Sequence, residues 1–216
     1  MNCNFFNRSS PQCVLLTTSK RIMKTWHKIA IITVIIVGIL ISVKSCVDKR
    51  DADITLAYIG SEFIDCELFN ENVKALHSVC SDINADGELV VDIMEISFND
   101  SLSQADKQNS DSKLANAVGA GAARVYLIEE KYLMNNASSG VFADLSHLGD
   151  GFKNASGEVC GISVKGNTKV EKLGIDASGD IYLAVRIVSE IDALTDKNIE
   201  KKHALAMDIA EYILND

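Results

Sequence analysis

Residues 124–128 read RVYLI, and this short stretch decides the fold class. Its consecutive apolar side chains leave no polar face, which is typical of a strand buried on both faces of a parallel sheet. Strands are also predicted at residues 54–60 (ITLAYIG), 89–97, 159–164 and 181–188 (IYLAVRIV). We therefore predict an α/β domain, a three-layer sandwich with a mostly parallel sheet, preceded by one transmembrane helix.

Helical patterns alternate with the predicted strands. Apolar residues recur at helical spacing over residues 68–83, and they recur again from Lys197 towards the C-terminus. A short helix is predicted at residues 112–119. The polar residues 99–111 before it are predicted to form an exposed loop.

The charge is distributed unevenly along the chain. Residues 1–28 contain five basic side chains and no acidic ones, whereas the whole chain contains 21 basic and 30 acidic side chains. The remaining residues therefore carry 16 basic against 30 acidic side chains, a net charge of −14. Because nucleic acid phosphates are bound by lysine and arginine, this balance excludes nucleic acid as an expected partner.

Residues 29–43 (IAIITVIIVGILISV) form an uncharged hydrophobic stretch between Lys28 and Lys44. This stretch is shorter than the roughly 20 residues that cross a bilayer, but the flanking lysines and Trp26 can extend it into the interface. The basic side chains before it are expected to stay in the cytoplasm. We therefore predict a signal anchor at residues 29–45 that holds the C-terminal domain outside the cell membrane.

Two other fates remain open for this segment. Cleavage as a secretory signal fits the small residues Val43 and Ser45, and lipid attachment fits Cys46. Met23 begins a more conventional targeting sequence than Met1, so both are candidate starts. The predicted organisation is a basic cytoplasmic tail (1–28), an anchor (29–45), a linker (46–53) and an extracytoplasmic α/β domain (54–216).

Three cysteines fall within the predicted domain. Cys66 and Cys80 flank one predicted helix, so they are expected to lie on the order of 20 Å apart. A disulfide needs Cα atoms within about 7 Å. We therefore interpret these two residues and Cys160 as small buried hydrophobic residues.

The segment DINADGEL at residues 82–89 is the sharpest local motif. Asp82, Asn84 and Asp86 place oxygen atoms at the first, third and fifth positions of a calcium loop. However, Ile93 stands where such a loop needs a bidentate carboxylate, and a strand follows instead of a helix. We interpret the segment as a turn between a helix and a strand, with calcium binding as the alternative.

No catalytic residue and no cofactor are predicted from the sequence. The histidines are isolated and no GxSxG motif is present, so the sequence predicts neither a zinc site nor a serine hydrolase elbow. Glu129 and Glu130 form a pair of carboxylates at the end of a predicted strand. Because adjacent residues point apart, we interpret this pair as a solvated strand end.

Four segments, taken in order, resemble the extracellular solute-binding proteins of bacterial ABC transporters, which have the type 2 periplasmic-binding fold. Residues 54–60 resemble the first strand of that family, and residues 89–97 resemble its second. Residues 113–146 resemble a helix, a small-residue step, a strand and a hydrophobic-x-Asp-Leu-Ser element, here residues 142–146. Residues 181–188 resemble the strand by which the chain returns to the first lobe. The layout is also similar to single-pass, membrane-anchored proteins of Gram-positive bacteria.

The resemblance implies a ligand site near the strand ends. In the family a second lobe follows the Asp-Leu-Ser element, whereas only about 35 residues separate Ser146 from Ile181 here, too few for a typical domain. One lobe is therefore expected, with any site at the carboxyl ends of its strands. This edge contains the candidate ligand-binding residues Tyr58, Ser61, Ser97 and Glu129.

These observations predict a non-enzymatic, membrane-tethered binding or interaction domain, with a small solute or a protein as its partner. A structural or assembly subunit of a membrane complex is the alternative, although residues 29–43 contain no GxxxG motif for helix packing. A cell-envelope enzyme is a more distant option, because the sequence offers no nucleophile and base pair.

Overall fold

A computed structural model describes residues 52–215. The predicted tail and anchor, and all but the last two residues of the predicted linker, lie outside this range. Within residues 52–215, no helix is both long enough and apolar enough to cross a membrane.

The described residues form alternating strands and helices, numbered in chain order. The strands are β1 (Ile54–Gly60), β2 (Val91–Ser97), β3 (Val125–Glu129), β4 (Phe152–Lys153), β5 (Val159–Ser163) and β6 (Ile181–Val185). The α-helices are α1 (Cys66–Asn72), α2 (Gln104–Leu114), α3 (Glu130–Ala137), α4 (Thr168–Lys172), α5 (Glu190–Thr195) and α6 (Ile199–Leu214). A 3₁₀ helix (Val73–Ser78) follows α1, and a π-helical turn (Ala115–Gly119) follows α2.

The six strands form one open, mixed sheet in the order β2-β1-β3-β6-β5-β4. Strands β1, β2 and β3 are parallel, whereas β6 pairs with β3, β5 with β6 and β4 with β5 in the antiparallel direction. The prediction of an α/β domain is confirmed, but the prediction of a mostly parallel sheet is wrong. The apolar run of β6 reflects burial on both faces, and such burial does not depend on strand direction.

Both faces of the central strands are buried, which explains their continuous apolar sequence. In β1, Leu56 and Tyr58 belong to a core cluster that includes residues of α6. Ala57 and Ile59 point to the other face and belong to a cluster that includes residues of α3. The side chains of a strand alternate between its two faces, so a strand with apolar residues in succession needs cover on each side.

Two helical predictions need correction. Helix α2 begins at Gln104, inside the predicted loop, and the side chain of Ser103 accepts a hydrogen bond from the N–H of Asp106 to cap it. Ser110 is the only buried residue of this helix, so its sequence carries no apolar period. The helix predicted over residues 68–83 ends earlier, and Ile83 is buried from a loop.

The three cysteines of the described chain are free thiols in different environments. Cys160 is buried, Cys80 is partly buried and Cys66 is exposed at the first residue of α1. The interpretation of all three as buried residues is therefore wrong for Cys66. Phe69 is the only buried residue of helix α1. The first turn of this helix, which contains Cys66, therefore lies at the surface.

Candidate functional site

The parallel strands create a switch point between β1 and β3. From β1 the chain continues to β2 on one side, and from β2 it crosses to β3 on the other side. In open α/β sheets, such a reversal leaves a crevice outside the carboxyl ends of the strands. A cleft of about 460 Å³ lies here, and its walls come from the ends of β1 and β3 and from the turn before β6.

Ser61, Glu129 and Lys131 form a hydrogen-bonded cluster on the wall of this cleft. The N–H of Ser61 donates to Oε1 of Glu129, and the Ser61 hydroxyl donates to Oε2 at 3.0 Å. Lys131 Nζ lies 2.9 Å from Oε2 of Glu129 and donates to Oγ of Ser61 at 2.7 Å. The carboxylate of Glu129 is therefore held in one orientation by groups from two elements.

The protonation states of this cluster follow from its contacts. Burial raises the pKa of Glu129, but hydrogen bonds from Lys131 and Ser61 outweigh it and hold the pKa below its ordinary value. The hydrogen bond to Glu129 raises the pKa of Lys131. At neutral pH the two side chains are thus an ion pair, and neither is poised as the base that a serine nucleophile requires. The cluster thus presents a fixed carboxylate and a fixed ammonium group to the cleft.

Tyr58 reaches the same cleft from inside the core. Its side chain is almost fully buried, and its hydroxyl fills the space that a side chain on Gly60 would need. Burial raises the pKa of the Tyr58 hydroxyl, and the nearby charge of Glu129 raises it further, while a hydrogen bond with the backbone of Glu62 opposes the shift. The phenol therefore stays protonated at neutral pH, as a polar group next to the carboxylate of Glu129.

Negative charge exceeds positive charge around the cleft. Asp180 pairs with Lys165 at 3.0 Å, and Glu129 pairs with Lys131. Three further lining carboxylates make no ion pair in the part of the chain that the structure describes. A cleft with an excess of one sign of charge concentrates ligands of the opposite sign. These three carboxylates are Glu62, Glu130 and Asp176.

The structure brings together three of the four candidate residues from the sequence. Tyr58, Ser61 and Glu129 line the cleft. Ser97 lines a different groove beside β2, and its carbonyl oxygen accepts a hydrogen bond from Ser110. The carboxyl end of β2, where Ser97 lies, therefore does not contribute to the cleft.

Sequence reasoning missed Lys131 and the turn at residues 176–180 as parts of this wall. Lys131 follows β3 by two residues, in the first turn of α3. The turn precedes β6, and the N–H of Glu130 donates to the carbonyl of Asp180 at 3.0 Å. Because β6 is antiparallel to β3, its beginning lies beside the end of β3. A prediction that β6 is antiparallel to β3 would have placed this turn in the wall of the cleft.

The residues of the calcium alternative are engaged in the turn itself. The carboxylate of Asp82 accepts hydrogen bonds from the N–H groups of Ala85 at 2.6 Å and Gly87 at 2.9 Å. The side chains of Asn84 and Asp86 each accept one from the N–H two residues further on. Within the described residues, no group of three or more His, Cys, Asp or Glu side chains is placed to hold a metal ion.

No protein-family model matches this chain, and comparisons with curated proteins and with solved structures find no match either.

Proposed function

We propose that this protein is a membrane-tethered binding domain outside the cytoplasm, related to one lobe of an ABC-transporter solute-binding protein. Its ligand is a small solute that binds in the cleft between β1 and β3. In this proposal the helices on both sheet faces complete a three-layer sandwich, and residues 29–45 form the anchor. The observation that carries the proposal is the position of the cleft at the switch point of the sheet.

The size and charge of the cleft define the class of solute. A volume of about 460 Å³ lies within the usual range for small-molecule sites, roughly 300–1,000 Å³. The excess of carboxylates favours a ligand with a protonated amine, and the fixed carboxylate of Glu129 is an acceptor for it. The ammonium of Lys131, which uses two of its three N–H groups within the cluster, offers the third to a second polar group on the same ligand.

A thermal-shift screen of the full-length protein in detergent tests this proposal. The panel consists of amines, amino acids, neutral sugars and dicarboxylates. We expect amine-bearing solutes to raise the melting temperature, because a ligand that binds the folded state stabilises it. Replacing Glu129 by glutamine is expected to weaken their binding about tenfold or more, since a hydrogen bond to a charged group contributes about 1.5–3 kcal/mol.

The matched control for this screen is Asp111→Asn. Asp111 is exposed on α2 and does not line the cleft, so the same loss of charge there is expected to leave binding unchanged. A melting temperature that no solute changes contradicts the proposal. An equal response of Glu129→Gln and the unaltered protein places the ligand elsewhere.

The location of the domain has a separate test in the exposed thiol of Cys66. We expect a membrane-impermeant maleimide to label Cys66 in intact cells that produce the full-length chain, because the proposal places this residue outside the membrane. Mass spectrometry of the peptide that contains Cys66 identifies the site, and Cys66→Ser provides the control. Labelling that requires lysis of the cells contradicts the proposed orientation.

A further inference from the structure

Strand β2 forms one edge of the sheet, and within residues 52–215 no strand pairs with its outer side. This strand has seven residues, whereas β4 at the opposite edge has two. Proteins usually shorten or cover an exposed edge, because its free backbone groups are a template for pairing with another chain. The length of β2 is therefore a feature that needs an explanation.

The backbone groups of β2 that face outwards can be assigned from its hydrogen bonds. The carbonyl of Val90 and the N–H of Phe98 both bond to the segment that contains β1. The N–H and C=O of one strand residue point to the same side, and successive residues alternate between sides. Val91, Ile93 and Glu95 therefore direct their backbone donors and acceptors away from β1.

A groove of about 610 Å³ runs along this edge between the segment before α1 and helix α2. Its apolar surface includes Phe63, which is 56% exposed, together with Met94 and Leu102. Exposed phenylalanine is costly in water, and a large aromatic side chain beside a groove is typical of a binding anchor. The groove thus combines a free strand edge with apolar pockets for alternate side chains of an added strand.

The charge of the groove selects between possible occupants. Asp92, Glu95 and Asp106 line it together with one lysine, Lys113, so it carries a negative excess. The carboxylate of Asp92 accepts the outward N–H of Ile93 at 2.9 Å. Pairing of two β2 edges from two copies of this chain places carboxylates against carboxylates, which is unfavourable. A partner strand that carries lysine or arginine meets opposite charges instead.

We propose that the outer edge of β2 binds an extended, basic segment of a partner protein, which adds a seventh strand to the sheet. The main chain of this segment bonds to the outward groups of Val91, Ile93 and Glu95. At Ile93, a carbonyl of the segment replaces the Asp92 carboxylate as the acceptor of the N–H. Its cationic side chains pair with Asp92 and Asp106, and an apolar side chain packs on Phe63. This interaction is separate from solute binding in the cleft.

Two heptapeptide libraries test the proposal by fluorescence polarisation on the full-length protein in detergent. In the first, lysine or arginine alternates with valine or isoleucine, and in the second, aspartate or glutamate takes the place of the basic residues. We expect the best basic peptides to bind at least tenfold more tightly than any acidic peptide. The double substitution Asp92→Asn and Asp106→Asn is expected to weaken the binding of the basic peptides about tenfold at low salt. The effect is expected to be smaller at high salt, because salt screens the charges.

Substitutions in the groove, in the cleft and elsewhere on the surface test whether the peptides bind in the groove. Phe63→Ala is expected to weaken binding of the basic peptides about tenfold. Leu194→Ala removes an apolar side chain that is 87% exposed and does not line the groove, so no change is expected. Glu129→Gln is also expected to have no effect on the peptides, whatever its effect on solute binding.

The backbone contribution has its own test. N-methylation of alternate residues in the tightest peptide is expected to abolish binding for one set and to be tolerated for the other, since only one set faces β2. Ile93→Pro removes an outward donor without touching the inner ladder and is expected to weaken binding as well. If both N-methylated sets bind like the parent peptide, or if acidic peptides bind as tightly as basic ones, the proposal is overturned. The N-methylated peptides decide the question even where Ile93→Pro does not fold.

Discussion

Replacing Asp192 by alanine is expected to lower the free energy of unfolding by about 3–5 kcal/mol. Oδ2 of Asp192 lies 3.2 Å from Nη1 of Arg124 and 3.4 Å from Nη2 of Arg186, and each of the three side chains is less than a tenth exposed. Without the carboxylate, the two buried guanidinium groups lose their ion-pair partner. Urea unfolding of the detergent-solubilised protein, followed by circular dichroism, measures the change.

Two control variants isolate the buried charge. Asp192 also forms a capping box with Ser189 at the start of α5, so Ser189→Ala measures the loss of the cap alone, about 1 kcal/mol. Asp196→Ala breaks a partly exposed ion pair with Lys202, which is expected to cost less than about 1 kcal/mol. A cost for Asp192→Ala no greater than that for Ser189→Ala contradicts the role of the buried cluster.

The acid dependence of stability gives a second readout of Asp192. Burial raises the pKa of this carboxyl, but hydrogen bonds from Ser189 and Arg124 outweigh it and lower the pKa below its ordinary value. The unfolded chain therefore binds a proton at a higher pH than the folded one. The contribution of Asp192 is complete above the unfolded pKa of about 3.9 and is lost as the pH falls below it. Stability of Asp192→Ala is expected to fall less steeply in that acid range.

The strands of the sheet could be predicted because their burial appears directly in the sequence. Strand β1 occupies the predicted residues, and β3 and β6 begin within one residue of their predicted starts. Strand direction could not be predicted in this way, because a strand covered on both faces is apolar in either direction. Because β6 was predicted to be parallel, the turn at residues 176–180 was not expected beside the end of β3. Glu129 was therefore a candidate ligand-binding residue, whereas the opposite wall of its cleft was not predicted.

Polar residues that shape the fold were the hardest to predict. Helix α2 is almost entirely polar, and it begins where Ser103 caps it, so its sequence is typical of a loop. Asp53 ends a charged stretch that the sequence assigns to the linker, yet its side chain is fully buried. The sequence of a charged segment does not indicate which of its carboxylates will be buried against backbone N–H groups.

Asp53 organises the connection into β2 through three backbone hydrogen bonds. Its Oδ1 accepts the N–H of Ile83 at 2.7 Å and the N–H of Asn84 at 3.2 Å, and its Oδ2 accepts the N–H of Val90 at 2.9 Å. Ile83 is itself buried, so water cannot easily replace the carboxylate at that point. One side chain thus fixes both ends of the loop that leads into the edge strand.

Replacing Asp53 by alanine is therefore expected to lower the free energy of unfolding by on the order of 3 kcal/mol or more, since each buried donor left without an acceptor costs about 1–3 kcal/mol. Amide hydrogen exchange is expected to accelerate most at residues 83–90. Asp86→Ala is the matched control, because Asp86 also accepts a backbone N–H, that of Glu88 at 2.9 Å, but at an exposed site where water can take its place. An exposed cap contributes about 1 kcal/mol. If Asp53→Ala lowers the free energy of unfolding by less than this, solvent or a rearranged loop satisfies these donors. The carboxylate then does not fix the entry to β2.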